Sequence, residues 1–331
     1  MSKFYVFREM KKTWVKDLQP GQPVDDAFVL RKKELKDFEK GSFLKLELGD
    51  RTGRIDAVVW DNPDQFYLKA KEGDFLQVRG MASVYRDNLQ IKVDSFSRLD
   101  PAKVDLKEFL PTAAESPEAL FAAYQKEAQS LKNPHLKMLF EEIFADSRLV
   151  EKLKLAPAAK LWHHNYLGGL LQHTLKIVAI CKAAAEIYPL AKRDLLIAGA
   201  LLHDIGKVSQ YQMEGYIDYS DEGRLVGHIV EGCQIVSDKI SKIPDFPVEL
   251  SLNLKHLILS HQGELELGSP VVPQTLEAII LHHADQMDAQ VGGVTRIIQN
   301  EREPGKKWSS YVNLIKRFIY FGDESTKKER G

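Results

Sequence analysis

Polar and apolar positions in this 331-residue chain follow two different periods. From Val24 to Leu99 they alternate with a period of two, which puts every second side chain on one face of an extended strand. "FLKLELGD" places Phe43, Leu44, Leu46 and Leu48 before a turn. "RTGRIDAVVW" opens on a Thr-Gly pair and continues into β-rich sequence. "FLQVRGMASVY" and "LQIKVDSFSRL" are joined by the polar turn "RDN". A short helix fits near "PDQFYLKAK". The pattern therefore predicts about five short strands, with one helix before the fourth. Around Asp100–Pro101 the alternation stops. "LKEFLPTAAESPEAL" carries prolines and small residues and reads as a linker leading into helix. From there the period is mostly helical. Near the C-terminus, "GKKWSSYVNLIKRFIYF" is basic and aromatic. It reads as a closing helix, with an extension of a nucleic-acid path as the alternative. The tail "GDESTKKERG" is polar and expected to fray.

The strand order, with a Gly turn between the second and third strands, looks like an OB-fold barrel, which commonly binds single-stranded nucleic acid. The plainer role for such a barrel is an adaptor or dimerisation module. The expected fold class is multidomain, β followed by all-α. A five-stranded barrel occupies residues 1–100, a helical linker 101–135, an all-helical domain 136–322 and a polar tail 323–331. In the barrel, Phe43, Lys45, Arg54, Tyr85, Arg86 and Lys92 interleave aromatic and basic character, as needed to stack on bases and track phosphates. Phe43 serves equally well as barrel core, and Trp60, a stacking candidate as well, is assigned to that core because strand aromatics are more commonly core.

Composition narrows the setting. With 44% hydrophobic and 28% charged residues the chain is soluble and globular, and its length favours two domains. A net charge of −1 gives no global field toward nucleic acid or membrane, so any anionic partner must meet a local basic face. Two cysteines, Cys181 and Cys233, make no disulfide framework and suit a reducing compartment. "MSKFYVFREMKKTW" lacks the apolar core of a signal peptide, and no apolar run reaches membrane-spanning length. A cytoplasmic protein without a membrane partner is expected. Homo-oligomerisation stays open.

All ten histidines lie from His135 onward. His173 shares a helical face with Ile177 and Ile180, and His228 with Gly232 and Ile235. His261 ends a face made by Leu250, Leu254 and Leu257, and Asp285 sits with Ala278 and Leu281. His203 and Asp204 end the apolar run "LLIAGALLHDIGK". One inward histidine is more often a hydrogen-bonded core residue than a ligand. Six ionisable groups in one core must offset one another's desolvation. A divalent ion does so, and imidazole with carboxylate suits Mn, Fe, Co, Ni or Zn. Without clustered cysteines a structural zinc site is disfavoured.

"GGLLQHTL", "LLHDIGK" and "HHADQMDA" together resemble the HD-domain metal-dependent phosphohydrolases, an all-helical superfamily. The resemblance implies a first ion on His173, His203, Asp204 and Asp285. It implies a second on Asp204 with His228, in "VGHIVEG", and His261, in "LSHQGEL". Gln262 stands where relatives with a His-His pair carry the second histidine. The barrel, the linker and "PAAKLWHHNYLGGLLQHTL" extend the likeness over nearly the whole chain to the YhaM-type 3′-to-5′ exoribonucleases. That implies metal-dependent hydrolysis of single-stranded RNA to nucleoside monophosphates, with single-stranded DNA a further possible substrate. It also implies two divalent ions, manganese first among those named. On this reading Asp204 bridges the ions. Lys207 meets a phosphate oxygen, or else is a cation at a helix C-terminus. His163 or His164 protonates the leaving oxygen, against a capping or structural role. His282 orients Asp285. His256 and His135 are packing or surface residues. Two rival readings are an HD-domain phosphohydrolase acting on a small nucleotide, such as a dNTP or cyclic dinucleotide, and a non-catalytic nucleic-acid-binding protein.

Overall fold

The computed structural model describes residues 11–39, 41–160, 164–213 and 215–322. His163, the first ten residues and the tail 323–331 lie outside the described residues. Two compact units emerge. One comprises the chain up to Thr112 together with Gln212–Asp218, the other Ala113–Tyr211 and Tyr219 onward.

In the first unit the strands β1 (Pro23–Phe38), β2 (Gly41–Asp50), β3 (Gly53–Val59), β4 (Phe75–Tyr85) and β5 (Asn88–Arg98) close into a barrel in the order β1-β2-β3-β5-β4. Helix α1 (Pro63–Lys69) precedes β4, with Pro63 at its start. Closure depends on β1, which pairs with β4 over Pro23–Val29 and with β2 over Val29–Phe38. An irregularity between Leu30 and Lys32 bends it from one partner to the other. β3 and β5 complete the ring as a parallel pair. Alternation does what period two requires: Leu44, Leu46 and Leu48 of β2, with Ala57 and Val59 of β3 and Ile91 of β5, face a closed apolar core. Arg86 and Asp87 make the β4–β5 turn, both at positive φ, as a tight hairpin requires.

The second unit is helical. α2 (Pro117–Gln129), α3 (Pro134–Ala145) and α4 (Ser147–Leu155) are capped by Ser116, Asn133 and Asp146, whose side chains accept backbone N–H bonds. α5 (Gly169–Ile187), α6 (Arg193–Leu202) and α7 (Lys207–Gln210) follow. Every residue of α6 from Leu195 to Leu202 is buried, as expected of a helix apolar on all sides. It packs against α5 and α2, and against α10 (Val248–Ser260) and α11 (Leu276–Glu301). α8 (Asp221–Leu225) and α9 (His228–Ile240) lie between α7 and α10 in the chain. No described helix is long and apolar enough to cross a membrane.

Two features depart from the helical period. Between α7 and α8 the chain forms a two-stranded pair, β6 (Tyr211–Met213) and β7 (Ile217–Tyr219). The expected closing helix after α11 is also absent. Residues 307–321 fold instead as an irregular ribbon, bridged at Trp308–Tyr320 and Val312–Arg317. Its helical spacing of apolar residues is broken at Lys316, which adopts φ +50°, a conformation no right-handed helix admits.

Candidate metal centre

The centre forms where the buried helix α6 ends. His203 is its C-cap, and the chain turns through Asp204 to Gly206 before α7. That turn presses on the start of α9. A Cβ on Gly206 would overlap the carbonyl oxygen of His228 and the amide nitrogen of Gly232. Glycine here brings the His203–Asp204 pair beside His228. α5 contributes His173, the C-cap of α10 contributes His261, and α11 contributes Asp285.

The two oxygens of Asp204 face two different sets of imidazoles. Oδ2 lies 3.2 Å from His203 Nε2 and 3.4 Å from His173 Nε2. His173 Nε2 is also 3.2 Å from Asp285 Oδ1 and 3.4 Å from His203 Nε2. Oδ1 lies 3.4 Å from His228 Nε2 and 3.5 Å from His261 Nε2. Donor atoms bound at about 2.1 Å to one ion sit roughly 3–3.5 Å apart, so both sets have the right span. Two atoms of the second set, Asp204 Oδ1 and His228 Nε2, are buried without a hydrogen-bond partner. Such groups are costly unless something else engages them. The residues therefore fit a pair of divalent ions.

Outer contacts aim the rings. His203 Nδ1 is 2.9 Å from the Ala200 carbonyl, and His261 Nδ1 is 2.8 Å from that of Ile258. His173 Nδ1 is 2.8 Å from Asp288 Oδ2. Donation from each Nδ1 directs Nε2 into the site, where its lone pair would meet an ion once any proton there has left. Asp288 was not singled out from the sequence. Its signal was the three-residue spacing from Asp285, which sets both carboxylates on one face of α11.

Electrostatics follow from three carboxylates in a closed space. Burial opposes charge on His173, but the hydrogen bonds its ring donates to Asp204, Asp285 and Asp288 overcome it and lift its pKa to about 10. Burial pushes Asp204 upward, yet Lys207 and His203 prevail and hold it well below the usual carboxylate range. Asp285 and Asp288 are likewise held down against burial, by His173 and by His164 with His173 respectively. His261 is raised through Asp204 despite its burial. His228 behaves oppositely. Burial dominates and takes it down to about 3, so its ring is neutral over the physiological range.

The other sequence candidates divide. His164 is buried at φ +49° in the segment before α5, with Nε2 3.0 Å from Asp288 Oδ2 and Nδ1 2.7 Å from the Tyr166 hydroxyl. A Cβ on Gly169 would overlap the His164 carbonyl, so the segment closes tightly on the helix. Lys207 opens the single-turn helix α7, and its Nζ is 2.6 Å from Asp204 Oδ2. His282 does not orient Asp285: its Nδ1 lies 2.9 Å from the carbonyl oxygen of His261. Gln262 places its amide 3.2 Å from His261 Nε2. His256 accepts from the Gln274 amide, and His135 packs edge-on to Phe246.

On the barrel, Trp60 is not core. It is 46% exposed, because inward Ala57 and Val59 set the alternation that turns it outward. Its ring stacks on Phe43 at 4.9 Å, and Phe38, 45% exposed, meets it edge-on at 5.7 Å. Lys45 pairs with Asp56 and Arg54 with Glu47. Arg86 lies over the exposed ring of Tyr85, and Lys92 is exposed on β5.

Two family descriptions match: an HD domain over residues 170–290 and an OB-fold nucleic acid binding domain over 27–99. A 3′-5′ exoribonuclease YhaM from Listeria welshimeri is 31% identical over 313 residues, covering 92% of this chain and 96% of the relative. This chain belongs to the YhaM exoribonuclease family. The YhaM protein of Shouchella clausii is 32% identical over 305 residues, covering 89% of this chain and 92% of its own. That of Bacillus subtilis is 30% identical over 305 residues, covering 91% and 95%. The YhaM likeness thus spans barrel and helices together, so it concerns the whole architecture and not the His-Asp motif alone.

Proposed function

We propose that this YhaM-family enzyme is a metal-dependent 3′-to-5′ exoribonuclease that acts in the cytoplasm, shortening single-stranded RNA and releasing nucleoside monophosphates. The observation that carries the reading is the division of Asp204, one oxygen to each set of imidazoles, with Oδ1 and His228 Nε2 otherwise unsatisfied. His173, His203, Asp204 and Asp285 would hold one divalent ion, and Asp204, His228 and His261 the other. A nitrogen and oxygen donor set without thiolate suits Mn, Fe, Co, Ni or Zn, manganese favoured. Bound there, the ions supply Lewis-acid stabilisation of phosphoryl charge and ease deprotonation of a water nucleophile.

The chain's own groups supply the rest. His164 Nε2 lies 3.0 Å from Asp288 Oδ2 at the wall of a cavity that Lys176 and Arg296 also line. This supports His164 as the donor to the leaving oxygen. Lys207, beside Asp204, adds positive charge where phosphoryl charge develops. His173, His203, Asp204 and His261 are almost wholly buried, which favours a strand terminus over an internal bond. On the barrel, Phe43, Lys45, Arg54, Tyr85, Arg86 and Lys92, now joined by Trp60 and Phe38, supply strand affinity through stacking and phosphate contacts.

A 5′-labelled RNA should shorten progressively, and a 3′-blocked RNA should resist. Asp204→Ala should lose bound metal and on the order of a thousandfold in turnover, while keeping its helical circular dichroism. Random internal cuts, or full turnover in the purified variant, would overturn the reading.

A further inference from the structure

The ribbon after α11 carries chemistry that the metal centre does not use. Residues 302–322 contain five basic side chains, Arg302, Lys306, Lys307, Lys316 and Arg317, against one acid, Glu303, in a chain whose net charge is −1. Four aromatic side chains of the same segment are about half exposed: Trp308 at 53%, Tyr311 at 49%, Phe318 at 56% and Tyr320 at 52%. They pair across the ribbon, Trp308 with Tyr320 at 4.8 Å and Tyr311 with Phe318 at 5.2 Å. The backbone is tied by Phe321 donating to Lys307, Ser309 to Ile319 and Val312 to Arg317. A two-stranded ribbon is marginally stable alone. Aromatic surface held open to water at this density marks a place where something binds.

The helix that leads into the ribbon also lines a groove. A cavity of about 250 Å³ starts at His164 and Asp288 and follows α11 past Thr295 and Arg296 to Gln299. At 1.5 Å per residue that stretch of helix is about 16 Å long. α11 ends at Glu301, so the far end of the groove lies within one turn of the end of the helix, and the ribbon begins six residues after that end, at Lys307.

We propose that this ribbon is a binding platform for single-stranded RNA, stacking bases upstream of the 3′-terminal nucleotide while the α11 groove carries the strand to the metal centre. The inference deepens the exoribonuclease reading and rests on it. Charge selects the occupant. Exposed aromatics interleaved with cations suit a polyanion whose bases offer flat faces. The same ribbon of a second copy would set like charge against like.

The test uses the full, metal-loaded chain and a fluorescein-labelled phosphorothioate RNA that resists hydrolysis. The double variant Tyr311→Ala/Phe318→Ala should weaken binding roughly tenfold or more. Lys316→Gln/Arg317→Gln should reduce the slope of log affinity against log salt by about 1.4, at about 0.7 per phosphate contact. Photo-crosslinks from 4-thiouridine placed upstream of the 3′ end should fall within residues 308–320. Melting temperature and light-scattering mass accompany each variant, and if the aromatic variant melts early the charge variant decides. Wild-type binding by the folded variants at every salt concentration would overturn the proposal. So would loss of a multimer with RNA binding intact, which would make the ribbon a contact between copies. Failure of the unaltered enzyme to shorten ordinary RNA would instead overturn the exoribonuclease reading, and that measurement is separate.

Discussion

Asp288 binds no ion in the arrangement set out above, yet both His164 and His173 lean on it, at 3.0 and 2.8 Å. It is a positioning residue, and its effect has a measurable sign. A metal ligand must present a neutral imidazole. With its pKa lifted to about 10, His173 is protonated at pH 8, so ion binding there must expel a proton. His228, neutral above about 3, expels none, and the carboxylates are already ionised. Titrating manganese into chelator-treated chain at pH 8 in weak buffer should therefore release at least about one proton per chain, and apparent affinity should rise with pH toward 10. In Asp288→Asn the release at pH 8 should shrink as His173 falls back, and affinity should drop about 10–100-fold. Proton release unchanged in that variant would remove Asp288 from the centre. The six side chains brought together here were legible as histidines and aspartates on apolar helix faces. Asp288 was not, although it lies within "HHADQMDA" one turn after Asp285, because the spacing gives its face and not its partner, which is 115 positions earlier. His282 was misjudged for a similar reason. Helical spacing names the residue a side chain sits near, but not the carbonyl of another helix's cap that it bonds.

At the level of elements, the centre depends on how closely the α6–α7 turn meets α9. Gly206→Ala would drive a methyl into the His228 carbonyl and the Gly232 amide, both backbone groups with little room to yield. Overpacking of this kind typically costs about 1–3 kcal/mol. The displacement should separate Asp204 Oδ1 from His228 and His261, so metal content should fall from about two ions toward one, with a lower melting temperature. A variant that keeps two ions and its melting point would show the contact to be slack. Strands and helices were largely legible from period alone, since period two and period 3.6 each leave a run of buried positions. The ribbon at 307–321 was not. Trp308, Tyr311, Ile315 and Phe318 recur at helical spacing, yet β-branched and aromatic residues dominate, and no partner surface covers them to hold a helix. Trp60 was misplaced by the opposite error, in which the commoner role of a strand aromatic was followed when the pleat had already fixed its direction.

For the molecule as a whole, the order barrel then helices could be read from where the alternation stops. The pair β6–β7 could not, because two three-residue strands are too short to impose a period. Yet that pair has a bearing on how the chain is made. Gln212–Asp218 belongs to the compact unit formed by the chain up to Thr112, and Gly215, at φ +77°, fits against Val29 and the Gly73 backbone with no room for a side chain. Val29 is fully buried in the finished unit. The last piece of the first unit is therefore translated about a hundred residues after the rest. At about 5–20 residues per second, the ribosome leaves that surface uncovered for roughly 5–20 s. Nascent chains stalled so that only residues up to Tyr211 have emerged should accordingly be cut more readily within the barrel than chains stalled with Asp218 clear of the ribosome. Equal protease resistance would show the barrel complete without it. If the difference holds, the amino-terminal unit is not a module finished first and left behind. Its completion waits on a segment encoded between Asp204 and His228, so the barrel closes while the centre is half made, with His203 and Asp204 already translated and His261 and Asp285 still to come.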